Sequence, residues 1–266
     1  MENKSSQQII EEAYLSQYEE EYWQLISELH RRGSFVEFEH AERLCQSRDP
    51  IYREIGADIL GQLGWQAHVF HNETITILMR LLSDDHPDVI ASAAYALGHR
   101  KAEKSIPLLI KHKNHPNVRV RNSIVFGLLT YEDTHAIQAL IELSEDLDEN
   151  VRDWATFGLG SMIESDSFEI KHALEKRLSD PNGIIRGEAY VGLAKRDGIK
   201  NILTGLIAEL SDLENCPILM FEAAEILKAP QLYPSLEKMY QSLTEQDSKY
   251  YKICVEDALK SCMPQK

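Results

Sequence analysis

Two histidine pairs have the spacing nearest to that of metal ligands. His68 and His71 are separated by two residues, and so are His112 and His115. This spacing brings two imidazoles together only when both residues stand on one helical turn. Both pairs cross segments that we predict to be loops. We therefore interpret these histidines as solvated turn residues and predict no metal site and no cofactor.

No other group of residues has the spacing of a catalytic site. The glycines stand near the ends of predicted helices and form no phosphate-binding loop. The chain has 28 Lys and Arg residues against 43 Asp and Glu residues, and its net charge of -15 repels nucleic-acid phosphates and acidic membrane surfaces. We predict no catalytic residue, and a protein or peptide partner that is basic or partly apolar. One modest basic cluster comprises Lys111, Lys113, Arg119 and Arg121.

The cysteines and the N-terminus bear on the compartment. The four cysteines form no CxxC pair and fall within predicted helices or at a helix boundary, which favours buried free thiols in a reducing compartment. The N-terminal segment is too acidic and polar for a signal peptide, and no apolar run reaches membrane-spanning length. We expect a cytoplasmic protein. The cysteines are Cys45, Cys216, Cys254 and Cys262.

Repeated helices must position any site in this chain. The segment from Asp85 to Gly98 is typical of a turn followed by a helix, with an acid and a proline at its start, small residues within it and a glycine at its end. Related segments recur, and in the first five a glycine stands eleven residues after the anchor, at Gly61, Gly98, Gly127, Gly160 and Gly192. The anchors, each following the turn acid or its equivalent, are Pro50, Pro87, Pro116, Glu149, Pro181 and Pro217.

Apolar segments with helical spacing lie between the anchored segments, so each unit is predicted to be a helix–turn–helix that buries its apolar face by stacking. The fold class predicted is all-α, an α-solenoid of about six to seven helix pairs. Residues 1–34 are predicted to form an N-terminal capping helix, residues 35–230 the repeats, and residues 231–266 the C-terminal capping helices.

One segment carries a family motif. From Asp148 to Gly160 the sequence follows the pattern Asp-x-x-Val-Arg-x-x-Ala-x-x-x-Leu-Gly. This pattern resembles the HEAT repeat, in the short form also found in phycobilisome-lyase-like proteins, and the resemblance runs from Phe35 to about Lys228. It implies a stack of helix pairs and says little about function, since HEAT arrays serve many roles. It also implies an inter-repeat ladder of turn residues comprising Asp49, Asp85, Asp148, Asp180, Arg53, Arg119 and Arg152.

Helical geometry predicts which side of each second helix is buried. Counted from the anchor at 100° per residue, offsets 2, 6, 9, 10 and 13 share one face, and offsets 4 and 8 point the opposite way. In HEAT-like arrays the second helix of each pair lines the concave side. The predicted buried positions are Val89, Ala93, Ala96 and Leu97 in the second repeat and Val151, Ala155, Leu159 and Met162 in the fourth.

The opposite face is predicted to be a docking surface. Its middle is apolar, which is unusual for a solvated face and typical of a binding site. Arginine and tryptophan beside it are the side chains most often found at binding hot spots. A phase error of one residue would instead turn much of this stripe into core. The column comprises Glu54, Asp58, Ala91, Tyr95, Val120, Ile124, Asp153, Phe157, Ile185, Ala189, Phe221 and Glu225, flanked by Arg121, Trp154, Arg186 and Glu222.

The function predicted from this surface is that of a non-enzymatic protein-binding scaffold or adaptor. Its apolar residues would supply contact area, Trp154 and Arg121 would act as anchors, and the acidic residues at both ends would attract basic residues. Such an acidic scaffold could neutralise a basic toxin or nuclease as an immunity protein does.

Two alternatives stay open. Asp153, Trp154, Arg121 and Arg186 are similar in residue type to the groove of HEAT-like DNA glycosylases that excise alkylated bases, although the net charge disfavours nucleic acid. The short HEAT form also allows a bilin-lyase-like role in which an apolar groove holds a tetrapyrrole. A deoxyhypusine hydroxylase type of enzyme is disfavoured, because its repeated His-Glu dipeptides are missing from this sequence.

Overall fold

The computed structural model describes residues 4–67, 69–196 and 202–264, and all regular structure in these ranges is helical. The all-α fold predicted from the sequence is confirmed. Short 3-10 turns occupy Trp65–Ala67, Glu103–Ser105 and Pro230–Leu232, and Gly158–Met162 is a π-helical turn. The α-helices are α1 Ser6–Leu15, α2 Glu19–Arg32, α3 Phe35–Leu44, α4 Pro50–Gln62, α5 His71–Leu81, α6 Pro87–His99, α7 Ile106–Ile110, α8 Val118–Leu128, α9 Thr134–Leu143, α10 Glu149–Phe157, α11 Phe168–Arg177, α12 Gly183–Arg196, α13 Leu203–Glu209, α14 Ile218–Leu227, α15 Tyr233–Ser242 and α16 Lys249–Ser261.

The chain divides into two compact units, residues 1–139 and residues 140–266. The N-terminal unit contains α1 to α8 and the start of α9. The C-terminal unit contains the end of α9 and α10 to α16.

Within each unit the second helices of successive pairs stack side by side. In the N-terminal unit α4 packs against α6 and α6 against α8, while α3, α5 and α7 each pack on the second helix of their own pair. In the C-terminal unit α10, α12, α14 and α16 follow one another in the same way. A second helix in the middle of a stack is therefore covered by its partner and by a neighbour on each flank, so only one side faces solvent.

The predicted buried face is confirmed in the second and fourth repeats, with one exception. Val89, Ala93 and Leu97 in α6, like Val151 and Ala155 in α10, are fully buried. Met162 was predicted to share this face and is 41% exposed. The prediction fails there because α10 ends at Phe157 and the chain continues as a π-helical turn, which rotates the following side chains away from the α-helical phase.

The N-terminal segment predicted as one helix contains two. The first, α1, begins with a capping box in which Ser5 and Gln8 each accept a hydrogen bond from the other's backbone N–H. It ends at Leu15, because Ser16 adopts an extended conformation. The second, α2, starts with three consecutive glutamates, which the positive end of the helix dipole stabilises, and ends at Gly33 with a φ of 54°.

Four of the five recurrent glycines stand inside the last turns of the second helices, and Gly160 lies within the π-helical turn that continues α10. None of the five ends its helix, contrary to the sequence prediction. Gly98 of α6 faces Gly127 of α8, where a Cβ built on Gly98 would lie 3.1 Å from the Cα of Gly127. Gly160 and Gly192 meet in the same way in the C-terminal unit, since a Cβ on Gly192 would lie 2.6 Å from the Cα of Gly160. The missing side chains allow neighbouring backbones to approach closely.

Two arginines cap the carbonyl ends of the preceding second helix. Arg100 is fully buried, and its guanidinium donates to the carbonyl oxygens of Leu60 at 2.8 Å and Leu63 at 3.1 Å. Arg196 donates to the Leu159 oxygen at 2.8 Å and the Gly160 oxygen at 3.1 Å. Both stand thirteen residues after the start of their helices. The carbonyls that a helix end leaves unpaired are thereby satisfied across the repeat.

The four cysteines carry free thiols, and those of Cys45, Cys216 and Cys262 are buried, as predicted. Burial raises the pKa of the Cys45 thiol to about 12. Among the helices of the described residues, none has both the length and the apolar character needed to cross a membrane.

Candidate functional site

Four arginines occupy the same place in the second helices, the fourth residue of α4, α8, α10 and α12. Each guanidinium donates from Nη1 to the carbonyl oxygens six and five residues earlier, at 2.9 to 3.3 Å. These bonds tie the start of each helix to the turn before it. The four residues are Arg53, Arg121, Arg152 and Arg186.

The inter-repeat ladder implied by the family resemblance is therefore present with different members. Arg53 joins Asp84 through two bonds of 2.7 Å, and Arg152 joins Asp180 at 2.9 and 3.3 Å. Arg119 is not a ladder residue, because its guanidinium binds Glu54 and Asp88 at 2.6 Å each. Among the acids, Asp49 and Asp148 cap the N-termini of α4 and α10, while Asp85 adds a bond of 3.1 Å to Arg53.

The residues at which the second helices actually begin correct the predicted docking column. The helices α8 and α12 begin two residues after Pro116 and Pro181, at Val118 and Gly183. A shift of two residues rotates a helix by about 200°. Residues placed at offsets 4 and 8 in these two repeats are in fact the third and seventh of their helices, which are core positions. The prediction that they face solvent is wrong for Val120, Ile124, Ile185 and Ala189, all fully buried.

Two further column residues are also core. Phe221 is the fourth residue of α14 and is fully buried, with its ring edge-on to Tyr251 at a centroid distance of 5.3 Å. Ala91 of α6 is buried as well. Phe221 can therefore supply no contact area to a partner, whereas Ala91 borders a groove described below.

The predicted anchor Arg121 and the predicted flanking residue Arg186 are both ladder residues. Arg121 donates to the carbonyl oxygens of His115 and Pro116. Arg186 forms a two-point pair with Glu209 at 2.7 and 3.0 Å. The predicted anchor role and the similarity to glycosylases both require these guanidinium groups to face a groove. Their hydrogen bonds instead join them to the turns before their helices.

The C-terminal unit presents an acidic face on α10, α12 and α14. Trp154 is 45% exposed and lies edge-on to the half-buried Phe157 at 5.7 Å. Asp153 precedes Trp154 in the chain, and Glu188 on α12 lies close enough to Asp153 and to Glu222 on α14 for their charges to act on it. We call this set the acidic face, and it comprises Asp153, Trp154, Phe157, Glu188, Glu222 and Glu225.

Burial and nearby carboxylates raise the pKa of two glutamates of the acidic face, Glu188 and Glu225. Burial raises the pKa of Glu188 to about 7, with further contributions from Asp153 and Glu222, while Lys195 opposes the shift. Burial also raises the pKa of Asp153, and one of its oxygens is buried without a hydrogen-bond partner. The pKa of Glu225 is raised by burial and by Asp257 and Glu222. A cation bound here would therefore relieve existing repulsion.

The N-terminal unit brings together Glu54, Asp58 and Tyr95 from the predicted column. Glu54 accepts a bond from Arg119, as described above. Asp58 is 8% exposed and accepts a hydrogen bond of 2.5 Å from the Tyr22 hydroxyl. Burial raises the pKa of Asp58 to about 7. Tyr95 is 38% exposed and stacks on Phe126 at 3.9 Å.

Asp58 and Tyr95 line one groove of about 480 Å³ between α2 and the second helices α4, α6 and α8. Trp23 forms part of its wall and is 36% exposed. The side-chain oxygen of Asn122 is buried and has no hydrogen-bond partner. We call this cavity the aromatic groove, and its lining includes Trp23, Asp58, Ser92, Tyr95, Arg119 and Asn122.

Among the residues that sequence reasoning missed are Trp23 and Asn122 of the groove, Tyr22, which donates to Asp58, and Glu188 of the acidic face. Tyr22 and Trp23 stand in the segment assigned to capping, so they were not considered for a site. Glu188 and Asn122 were missed because α12 and α8 were out of phase by two residues. A signal was present, since Asn117 and Asn182 are helix-capping residues placed directly before the true starts.

No group of three metal-ligating side chains occurs in the described ranges, which leave out His68. The rings of His112 and His115 lie 6.2 Å apart. Burial and His115 lower the pKa of His112. The pair formed by His68 and His71 lies partly outside the described residues.

Comparison with known proteins identifies the repeat. Residues 40–128 match the family model described as HEAT repeats. Protein YibA of Escherichia coli strain K12 is 28% identical over 188 residues, which cover 68% of this chain and 66% of YibA, just under two thirds of its length. The X-ray structure of E. coli YibA matches 96% of this chain and 95% of that one, with a TM-score of 0.70 and 25% identity.

Two more distant structures share the fold. The complex of CpcE and CpcF of phycocyanin lyase from Nostoc sp. PCC7120 has a TM-score of 0.53 and 16% identity, covering 85% of this chain and 94% of that one. A designed armadillo repeat protein in complex with the peptide (KR)4 has a TM-score of 0.50 and 16% identity, covering 72% of this chain and 99% of the designed protein. The chain therefore has an α-solenoid fold, and its residues 40–128 are similar to HEAT repeats.

Proposed function

We propose that this protein is a non-enzymatic binding scaffold whose acidic face holds a basic segment of a protein partner. The observation that carries the proposal is the set of carboxylates on α10, α12 and α14, in which Asp153 and Glu222 raise the pKa of the half-buried Glu188, together with the half-exposed Trp154. Lysine and arginine side chains of a partner would supply the missing positive charge. Trp154 would pack against their aliphatic stems or against an arginine plane.

Charge and fold both support this choice of partner. The net charge of -15 favours a basic partner and speeds its association. The armadillo neighbour is a complex with a peptide named (KR)4, and CpcE and CpcF form a complex with each other. At 16% identity these likenesses concern the fold, so protein or peptide binding comes to this chain only as part of the proposal.

A basic toxin or nuclease that this protein neutralises would be one such partner. We also place the protein in the cytoplasm, because buried free thiols such as those of Cys45 and Cys216 suit a reducing compartment.

The proposal is tested with a fluorescein-labelled peptide of four Lys-Arg repeats, whose binding is followed by fluorescence anisotropy. Asp153→Asn, Glu188→Gln and Glu222→Gln should each weaken binding about two- to fivefold, the range measured for exposed charge pairs. The triple variant should lose most of the affinity, and 0.5 M salt should do the same.

Glu175→Gln is the matched control, because it removes one exposed carboxylate from α11 in the same unit. If the control weakens the peptide as much as the acidic-face variants do, binding follows net charge and the proposed face is wrong. Tight, salt-sensitive binding of single- or double-stranded DNA would contradict the choice of partner.

A further inference from the structure

The aromatic groove of the N-terminal unit has the size and lining of a ligand site. Its volume of about 480 Å³ falls within the range of about 300 to 1,000 Å³ typical of such sites. Trp23 and Tyr95 belong to its wall, and the ring of Tyr95 is held in place by its stack on Phe126. Aromatic faces in a groove attract cations.

The polar groups of the groove accept hydrogen bonds more than they donate them. Asp58 is a nearly buried carboxylate, and the side-chain oxygen of Asn122 is buried with no donor opposite it. Glu19 adds a second carboxylate to the lining. An occupant that satisfies these groups must carry several N–H donors and a positive charge.

Arg119 is the one cation that lines the groove, and its charge is already balanced. Its guanidinium is bonded to Glu54 and Asp88 at 2.6 Å each. With Asp58 and Glu19 counted as well, the charges at the groove are negative in sum. An anionic ligand would have to displace these ion pairs, whereas a cationic one would not.

We propose that the aromatic groove binds the guanidinium or ammonium head of a basic side chain of a protein partner, with Trp23 and Tyr95 against the cation and Asp58 as its counter-charge. This site lies in the N-terminal unit, apart from the acidic face, and takes a single side chain. Its existence does not depend on peptide binding by the C-terminal unit.

A bound cation should release the proton of the Asp58 carboxyl group, because burial raises the pKa of this group and keeps it partly protonated near neutral pH. Its neighbours are Tyr22 and His30 on α2, Glu54 on its own helix, Ser92 on α6 and Arg119 on α8. Burial holds the pKa of the His30 ring at about 4, so this neighbour stays neutral above pH 6. The pKa of Asp58 is about 7 in the empty groove, so only a minority of molecules carry the counter-charge at pH 6.

The test uses the acetylated and amidated tripeptide Gly-Arg-Gly, with its lysine and citrulline analogues, and NMR of the indole N–H of Trp23 in the full chain. The arginine and lysine peptides should bind with a Kd on the order of 1 mM, while neutral citrulline should not bind. Affinity should rise about tenfold between pH 6 and pH 8, in line with ionisation of a carboxyl of pKa about 7.

Asp58→Asn should remove this pH dependence. Trp23→Leu lacks the reporter indole, so its binding is followed by saturation transfer to the protons of the peptide, and it should be at least tenfold weaker. Trp65→Leu is the matched control, a half-exposed tryptophan of the same unit outside the groove lining, and should bind normally. Circular dichroism checks that each variant is folded. Equal binding of the citrulline peptide, or an unchanged pH profile in Asp58→Asn, would overturn the proposal. Asp153→Asn should leave the tripeptide unaffected, which separates this site from the acidic face.

Discussion

The Nε of Arg100 donates to the carbonyl oxygen of Leu60 at 2.8 Å, although forty residues separate the two in the chain. The same buried guanidinium reaches the Leu63 carbonyl, so one side chain closes the end of the preceding second helix. Burial lowers the pKa of Arg100 to about 10, which leaves it charged at neutral pH. A buried charge bonded only to carbonyls therefore holds two successive repeats together.

Arg100→Met should destabilise the protein by about 2 to 4 kcal/mol. Methionine fills much of the same volume but leaves the buried carbonyls of α4 without donors, at a cost of about 1 to 3 kcal/mol for each unsatisfied group. Thermal unfolding followed by circular dichroism should show a Tm lower by about 5 to 15 °C. Arg48→Met, which removes an exposed arginine of the same unit, should change the Tm by less than about 2 °C. Equal effects of the two variants would mean that the cap contributes nothing.

Gly192→Ala should loosen the packing of α12 on the segment that follows α10. Its new methyl group would stand 2.6 Å from the Cα of Gly160 and 2.9 Å from Cδ1 of Leu174, so backbone must move. We expect a loss of about 1 to 3 kcal/mol, as for other overpacked cores, even though alanine favours helix. Urea unfolding measures the change. Gly183→Ala, whose methyl group meets a ring carbon of Pro217 at 3.0 Å and the Arg186 side chain at an ordinary 3.6 Å, should cost less. A stabilised Gly192→Ala variant would show that the close approach is not required.

Arg152→Gln should destabilise more than Asp180→Asn. The first change leaves the Asp180 carboxylate, whose side chain is 3% exposed, without its two-point partner, although Arg177 stands 3.7 Å away. Removing one member of a buried ion pair costs about 3 to 5 kcal/mol. The second change keeps a hydrogen-bond acceptor and removes the buried charge. Denaturant midpoints of the two variants and of the double variant provide the comparison, and a larger loss for Asp180→Asn would contradict this assignment of the charge.

The helices and much of the core could be predicted from the sequence, because apolar spacing reports packing directly. Val89, Leu97, Val151 and Ala155 are buried where the 3.6-residue period places them. The docking column failed in two repeats for a specific reason. Proline is helical when it follows a capping Asp, as Pro50 follows Asp49, but Pro116 precedes a capping Asn and lies outside its helix.

The glycine spacing concealed that error. Gly98 and Gly160 stand eleven residues after the starts of their helices, whereas Gly127 and Gly192 stand nine residues after theirs. Gly98 faces Gly127 across the stack, and Gly160 faces Gly192. The members of each pair stand at different positions in their helices, although counting from the predicted anchors gives all four the same offset. Trp23 of the groove and Tyr22, which donates to Asp58, could not be predicted, because no local pattern shows that α2 packs on α4.

Asp58 should make the protein less stable as pH rises. Its folded-state pKa of about 7 lies above the model-peptide value of 3.8, so between these values the folded protein binds more protons than the unfolded chain. The stabilisation is fully present below about pH 4 and is lost as the pH rises through 7. Asp58→Asn keeps an acceptor for the Tyr22 hydroxyl without the charge.

The free energy of unfolding of Asp58→Asn relative to the native sequence should therefore increase by on the order of 2 to 3 kcal/mol from pH 5 to pH 8. Urea unfolding at half-unit pH steps measures this difference, in which the titration of all shared groups cancels. Glu39→Gln, which removes an exposed carboxylate from α3, should give a flat difference over the same range. If the difference in free energy of unfolding for Asp58→Asn is equally independent of pH, the Asp58 carboxyl ionises in the folded protein as it does in water. Burial between α2 and α6 then does not govern its charge.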